Sequence, residues 1–542
     1  MRSIEEDILV KTQRDKAGAA EAMAALRTQI RDIAVAPGPT KENPAGILSF
    51  DKLRLVTDLI RDELTRQGKF FRTADNHGYY FSRAEHQVYD LNHGSFESLL
   101  KHLSGLSETE KLYNFACDTL RVEVSQKAER AEVYAIAHFD TRSKRHVVSD
   151  GKSGIWWREP GGTWKSGHNG QDGIYFATDP NADSFHPDMT VDEDDLSLDW
   201  FWSQFLFKEP YDTETELSRD EICTLLEVWL LQLLFPELRR TRMIPAFLGD
   251  QGGGKSTAMR LFGRLIVGPR FEVIGIKKNN DKDWVAAVTN RIFIGFDNAD
   301  SHVEWLPDEL ARYATGQNYD IRELFSDNEM LSFQTRANIM LTSRDPYFNR
   351  PDVAERLLTF YFARPQDGEY IEELEIFEEL TRRRDRIWGE LLTKAARFGD
   401  ALNLTKKVRV KFRMADYGSF GLRLLGEERR PKWENILRKL TRAQSRFATR
   451  DDSITAVLRI LLDEYNGVIG PVSTGALHDL AKPKADILKL YWPATANGFG
   501  KMIDGLKTVM ETALDATITV TERVTANKRY ITIQSNDSAA PF

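Results

Sequence analysis

Apolar and polar positions along the chain follow two periods that alternate from segment to segment. Between residues 3 and 34, Ile4, Ile8, Leu26, Ile30 and Ile33 predict a helix. Pro37, Pro39 and Pro44 with Gly38 and Gly46 then mark a linker. Lys69 to Arg72 and Tyr79 to Phe81 flank Asp75-Asn76-His77-Gly78, the pattern of a hairpin. Residues 94–127 read as helical, and 133–139, 146–148 and 154–157 as strands. Asp, Glu and Pro dominate 179–199, which predicts an acidic surface connector. A helix over 217–235 opens a segment of buried strands near 243–248, 291–296, 337–343 and 357–362. Residues 370–465 read as helices with charged faces. Near the end, a helix at 499–507 precedes strands at 517–520 and 529–533, with a turn near Ala526-Asn527-Lys528. Helix, strand, turn, strand is the order of a winged-helix end. No internal repeat is visible.

One stretch changes this picture from architecture to chemistry. Gly249-Asp250-Gln251-Gly252-Gly253-Gly254-Lys255-Ser256-Thr257 lies between an apolar run ending at Leu248 and a helix-like run from Ala258. Strand, glycine loop, helix is the context of a phosphate-binding P-loop. Glycines let backbone N–H groups turn toward a phosphate chain, and the helix start adds its positive end. Lys255 supplies a charge for the β- and γ-phosphates of ATP, and Ser256 a hydroxyl for Mg²⁺. A purely structural glycine loop is the alternative.

Three downstream segments fit such a site. Arg291-Ile292-Phe293-Ile294-Gly295-Phe296 ends in Asp297, the expected metal-side acid, although a strand may also end in a plain polar turn. Ala337 to Leu341 ends in Thr342 and Ser343, hydroxyls able to orient attacking water or merely to cap the strand. Arg350 and Arg356 then offer a cation to a neighbouring subunit's γ-phosphate, Arg356 first and Arg350 second. Ion pairs with Asp352 or Glu355 are their plainer use.

Composition restricts the class. The chain has 542 residues, enough for three or four domains, with 41% hydrophobic and 29% charged residues, an ordinary globular balance. Cys117 and Cys223 stand far apart, so a disulfide or zinc framework is excluded and a reducing cytoplasm is expected. The acidic start has no apolar h-region, and the run near Val228 to Phe235 is too short to span a membrane. Net charge is −8, against a broadly basic surface but compatible with a positive channel.

The order P-loop, Phe296-Asp297-Asn298, Ala314-Thr315-Gly316, Arg322-Glu323-Leu324-Phe325, Leu341-Thr342-Ser343 resembles the superfamily 3 helicase branch of AAA+ ATPases. Poxvirus-type and phage or plasmid primase-helicase proteins are the nearest in pattern. The resemblance covers about residues 217–365 and extends weakly beyond. It implies an α/β fold with an AAA+ P-loop ATPase core, assembled as a ring, by expectation a hexamer. Such a ring hydrolyses ATP with Mg²⁺ and draws single-stranded or forked DNA through its pore. It implies Arg322 as a DNA contact near a pore hairpin, and a primase or polymerase as a further partner. The expected division is 1–46 (helix and linker), 47–200 (an α+β region of unassigned chemistry), 201–368 (ATPase core), 369–465 (helical) and 466–542 (winged-helix-like). The chain departs from the family twice. Asn298 stands where a second acid is usual, leaving water activation to Asp300 or Glu304. Arg344 follows Ser343 at a strand that often ends in Asn.

Weaker features have plain explanations beside them. Lys501, Lys507, Lys528 and Arg529 on the winged-helix end suit DNA phosphates or a solvated face, and Asp504 and Glu511 temper the first use. Trp156, Trp157, Trp164, His138 and His146 suggest a ligand box or, more simply, the core of a small β unit. Lys406 to Arg413 alternates basic and apolar residues, a pattern that suits a nucleic-acid path or, more simply, an exposed strand or helix face. The expected function is an ATP-dependent DNA helicase or translocase of a mobile-element, phage or plasmid replication system. The alternatives are an ATPase switch in a regulatory or defence assembly and a scaffold with a dead site.

Overall fold

In a computed structural model, residues 4–190, 196–208, 216–277, 281–300, 303–317, 319–322, 330–333, 335–366, 371–406, 408–523 and 528–536 are described, without the side chains of 4–19, 281–282, 319–322, 330–333, 522–523 and 528. The N-terminal part runs α1 (Ile4–Val35), α2 (Ser49–Gln67), β1 (Gly68–Arg72), β2 (Gly78–Ser82), β3 (Gln87–Asp90), α3 (Gly94–Ser104), α4 (Lys111–Lys127) and β4 (Glu129–Arg130). The expected hairpin is β1–β2, antiparallel with Phe71 opposite Tyr79, in a sheet ordered β3-β2-β1-β4. Val56, Ile60 and Leu64 recur at helical spacing on α2 and are buried, as are Leu120 and Val124 of α4. The helical stretch expected over 94–127 comprises two helices, because Gly105 takes a left-handed φ of 71° and its N–H closes α3 on the Lys101 carbonyl.

Next come β5 (Val133–Tyr134), β6 (Ala137–Phe139), β7 (His146–Ser149), β8 (Gly154–Arg158), β9 (Lys165–His168), β10 (Tyr175–Phe176) and α5 (Ser197–Ser203). The strand expected over 133–139 divides between two sheets. β5 pairs with β10, while β6 to β9 form a meander.

The centre is built from α6 (Arg219–Gln232), β11 (Ile244–Leu248), α7 (Lys255–Ile266), β12 (Ile274–Gly275), α8 (Asp281–Asn290), β13 (Phe293–Asp297), α9 (Leu306–Ala314), β14 (Tyr319–Arg322), β15 (Met330–Phe333), β16 (Asn338–Ser343), α10 (Pro351–Ala354) and β17 (Leu357–Tyr361). Ser218 and Glu221 form a capping box that starts α6. Five strands make a sheet ordered β12-β13-β16-β11-β17, every neighbouring pair parallel. β11 and β16 are buried along their whole length, which is why they read as unbroken apolar runs. β14 and β15 form a separate antiparallel pair.

The helical stretch is α11 (Glu373–Ala401), α12 (Ala415–Leu425), α13 (Arg430–Ala448) and α14 (Ser453–Glu464), followed by β18 (Val468–Ser473), α15 (Thr474–Ile487), α16 (Ala496–Leu514), β19 (Ala516–Arg523) and β20 (Lys528–Ser535). β18, β20 and β19 form one sheet. The C-terminal segment therefore holds more than the expected helix, strand, turn and strand, with β18 and α15 added. The turn expected near Ala526 and Asn527 lies outside the described residues. Residues 406 and 408–413 of the basic run are neither strand nor helix. Lys406 pairs with Glu427 at 3.1 Å and Arg413 with Glu355, so both ends of the run are held by the chain itself.

One buried cluster extends from Ile136 through the parallel sheet to Phe447, across residues 200 and 368. Separate clusters hold Leu26 to Val124 and Ile454 to Ile533. The segment expected as a surface connector takes part in the central cluster. Phe185 stacks on Trp388 of α11 with centroids 4.1 Å apart, and the Asp188 N–H donates to the Asp385 carbonyl. Its acidic composition conceals these anchors because the buried Ala182, Phe185 and Leu198 are scattered between acids and prolines. Gly389 fits beneath Asp188 so closely that a Cβ would stand 1.7 Å from the Asp188 carbonyl oxygen. Gly389→Ala is therefore expected to destabilise the chain by roughly 3 kcal/mol. The check is the urea unfolding midpoint, and an unchanged midpoint would contradict this packing.

Candidate functional site

β11 ends at Leu248 and α7 begins at Lys255, so the glycine loop spans the carboxyl edge of the parallel sheet. Gly254 caps α7 with φ 76°, a conformation that costs other residues dearly. Gly249, at φ 128°, passes so close to β17 that a Cβ would lie 2.8 Å from the Phe362 carbonyl oxygen. Backbone freedom at these two positions shapes the loop. The start of α7 then faces an open cavity of about 620 Å³, walled by Gln251 to Thr257 on one side and Asn298, Asp300 and Arg344 on the other.

Lys255 is largely buried, and its ammonium donates to the Gly249 and Asp250 carbonyls at 2.7 Å each. Burial pushes its pKa below the ordinary lysine value, with Asp300, Asp297 and Asp250 opposing the shift. The Ser256 hydroxyl donates to Asp297 Oδ1 at 2.8 Å. Thr342 donates to the same oxygen and accepts from the Asn298 N–H at 3.0 Å. Sequence-distant residues meet here because β16 lies between β11 and β13 in the sheet. Thr257 turns to α11, donating to Glu373 at 2.9 Å.

Asn298 adopts φ 54°, which asparagine tolerates better than most residues. Asp300 Oδ1 accepts from the Ser343 hydroxyl at 2.6 Å and from the Arg344 and Asp345 N–H groups at 2.6 and 3.1 Å. Burial raises its pKa, but these donors outweigh burial and hold it below the usual carboxylate value. Asp300 is thus a firm anion rather than a ready proton acceptor. Glu304 is exposed and does not line the cavity.

Arg356 and Arg350 lie elsewhere. The Ile244 N–H donates to the Arg356 carbonyl, which puts Arg356 at the amino edge of the sheet, opposite the glycine loop. Its side chain is only 14% exposed and folds onto Asp352. Arg350 is 46% exposed and bridges Asp308 at 2.7 Å and Asp352 at 2.9 Å. Of the two, Arg350 has the exposure that contact with a neighbour requires.

Among the proposed DNA contacts, Arg529 pairs with Asp504 at 2.6 Å and Lys507 approaches Glu511 at 4.0 Å. Arg529 holds the Asp504 carboxyl below its usual value. Lys501 is exposed. The side chains of Lys528 and Arg322 lie outside the described residues, and Arg322 closes β14. The aromatic group is packing: Trp156 and Trp164 donate to the Phe185 and Leu392 carbonyls, and buried His146 contacts the Leu234 carbonyl at 2.7 Å. Burial lowers the His146 pKa to about 3, so it is neutral.

The fold and site define a mixed α/β protein with a glycine loop facing carboxylates. Residues 213–425 match the family model of the actinomycete integrative conjugative element replication protein, and this segment holds the glycine loop, Asp297, Asp300, Thr342, Ser343, Arg350 and Arg356. A comparison with curated proteins finds no match. Among solved structures, the A-form apo C-terminal region of NrS-1 is 12% identical, covering 88% of this chain and 99% of that chain at a TM-score of 0.38. SCCmec type IV Cch, described as an active helicase, is 13% identical, covering 86% and 92% at a TM-score of 0.38. At these scores neither likeness carries an argument. Among the described residues no helix is long and apolar enough to cross a membrane.

Proposed function

We propose that the chain is an ATPase of the AAA+ type that moves along DNA during replication of a mobile element. The observation that carries this reading is the meeting of Ser256 and Asp297 at 2.8 Å beside the glycine loop. A hydroxyl and a carboxylate at that spacing suit one Mg²⁺ with phosphate and water completing its shell. Among the described residues there is no group of three or more His, Cys, Asp and Glu able to hold a metal, so a magnesium site here relies on the nucleotide. The ion would offset charge on the phosphates.

The chain's own residues do the rest. Loop amides from Gly252 to Thr257 bind the phosphate chain, aided by the start of α7. Lys255 exchanges its two carbonyl partners for phosphate oxygens. Thr342 fixes Asp297 from behind, and Ser343 fixes Asp300. Asp300, as an anion, orients water instead of stripping its proton, which suits a transition state needing little base catalysis. In this reading Arg350 serves a neighbouring chain in a ring, and Arg322, at the end of β14, serves as a contact for a single strand. The match over residues 213–425 to a replication protein supports the mobile-element setting.

A forked-DNA unwinding assay tests this reading. The expected result is ATP-dependent strand separation, with single strands raising turnover severalfold. Turnover without unwinding, or without response to any nucleic acid, would favour a switch that recruits a partner. The Arg529–Asp504 pair and Asn298 are the observations behind that second reading.

A further inference from the structure

Three arginines bear on the chemistry of this site, and they differ in what already holds them. Arg350 is bound by two carboxylates and Arg356 by Asp352, and neither lines the cavity of the glycine loop. Arg344 lines the same cavity as Gly252 to Thr257. It is exposed, and among the described residues nothing forms an ion pair or hydrogen bond with its guanidinium. Its backbone is fixed instead, because the Arg344 N–H donates to Asp300 at 2.6 Å and β16 ends one residue earlier. A side chain without a partner on a pinned backbone is a cation held ready for a ligand.

We infer that Arg344 contacts the γ-phosphate of the nucleotide bound by its own chain, so that each site carries a transition-state cation in cis. The inference rests on the ATPase reading above. Its chemistry is hydrolysis. A water oxygen bonds to the γ-phosphorus, and the bond from that phosphorus to the bridging oxygen breaks with its electron pair going to ADP. The water proton passes to phosphate or solvent. Charge spreads over the γ-oxygens during this step, where a planar guanidinium binds two of them at once. The Arg344 charge is felt at both Lys255 and Asp300, consistent with a position between the loop and the acid.

Arg344→Ala and Arg344→Lys in the full chain test this, with two readouts. The first is kcat, expected to fall on the order of a hundredfold in the alanine variant and less in the lysine variant. The second is affinity for fluorescent ADP and for a fluorescent non-hydrolysable ATP analogue. Wild type is expected to prefer the analogue, and Arg344→Ala to lose that preference by weakening the analogue alone. Unchanged kcat would overturn the inference. So would equal weakening of both nucleotides, which marks a loop-positioning role, or a kcat loss with the preference intact, which marks action on a neighbour's nucleotide. A wild-type chain that binds neither nucleotide removes the ATPase reading and this contact with it.

Discussion

Lys255→Ala is expected to lower ATP turnover about a thousandfold, the upper range for removing one donor aimed at developing charge. The reasons are local. Lys255 is the cation of the glycine loop, its ammonium is 2.7 Å from two loop carbonyls, and burial already weakens its hold on a proton. Phosphate oxygens are better partners than those carbonyls, so nucleotide binding draws the ammonium across the loop. Alanine leaves the Gly249 and Asp250 carbonyls to water, since the cavity is open. The helix itself is kept in place by Ala258, Met259, Leu261 and Phe262, all buried. Fold should therefore survive. Phosphate release measures the first effect, and the urea midpoint, expected to move little, measures the second. Turnover near the wild-type rate would remove the role given to Lys255.

Asp297→Ala is the second large effect, expected at several hundredfold in turnover. Asp297 Oδ1 collects hydroxyls from Ser256 and Thr342, one from the glycine-loop helix and one from the neighbouring strand. Removing it takes away the carboxylate proposed for Mg²⁺ and leaves both hydroxyls without that acceptor. The second consequence costs stability as well, about 1–3 kcal/mol for the polar groups left unsatisfied. The distinguishing measurement is a magnesium titration of turnover. Wild type should show a saturable rise, and the variant little response at any magnesium concentration. A variant with the wild-type magnesium curve would place the metal elsewhere.

The parts of the site that the sequence displayed are those whose chemistry is local. Gly249 to Thr257 occupies one turn between a strand and a helix, so its spacing is fixed by backbone geometry and survives in the one-dimensional pattern. Asp297, Thr342 and Ser343 were visible as polar ends of apolar runs. Which hydroxyl meets which acid was not, because that depends on β16 lying between β11 and β13. Arg344 illustrates the limit: its identity was read as a departure, but its place on the cavity wall comes from Asp300 pinning its N–H. Arg356 is only 14% exposed because its side chain folds back toward Asp352, a contact the sequence spacing permits but does not announce. At the winged-helix end, Arg529 sits 25 positions from Asp504, beyond any local pattern. The division of 133–139 between two sheets is hidden for the opposite reason, since its apolar residues run on without a break from Val133 to Ala137.

Equilibrium titration of the purified chain with a fluorescent ATP analogue and Mg²⁺ tests the central proposal most directly. Saturable binding of one nucleotide per chain, weakened at least tenfold in Lys255→Ala and dependent on magnesium through Asp297, is the expected result. Absence of binding, or binding that both substitutions leave untouched, would contradict it.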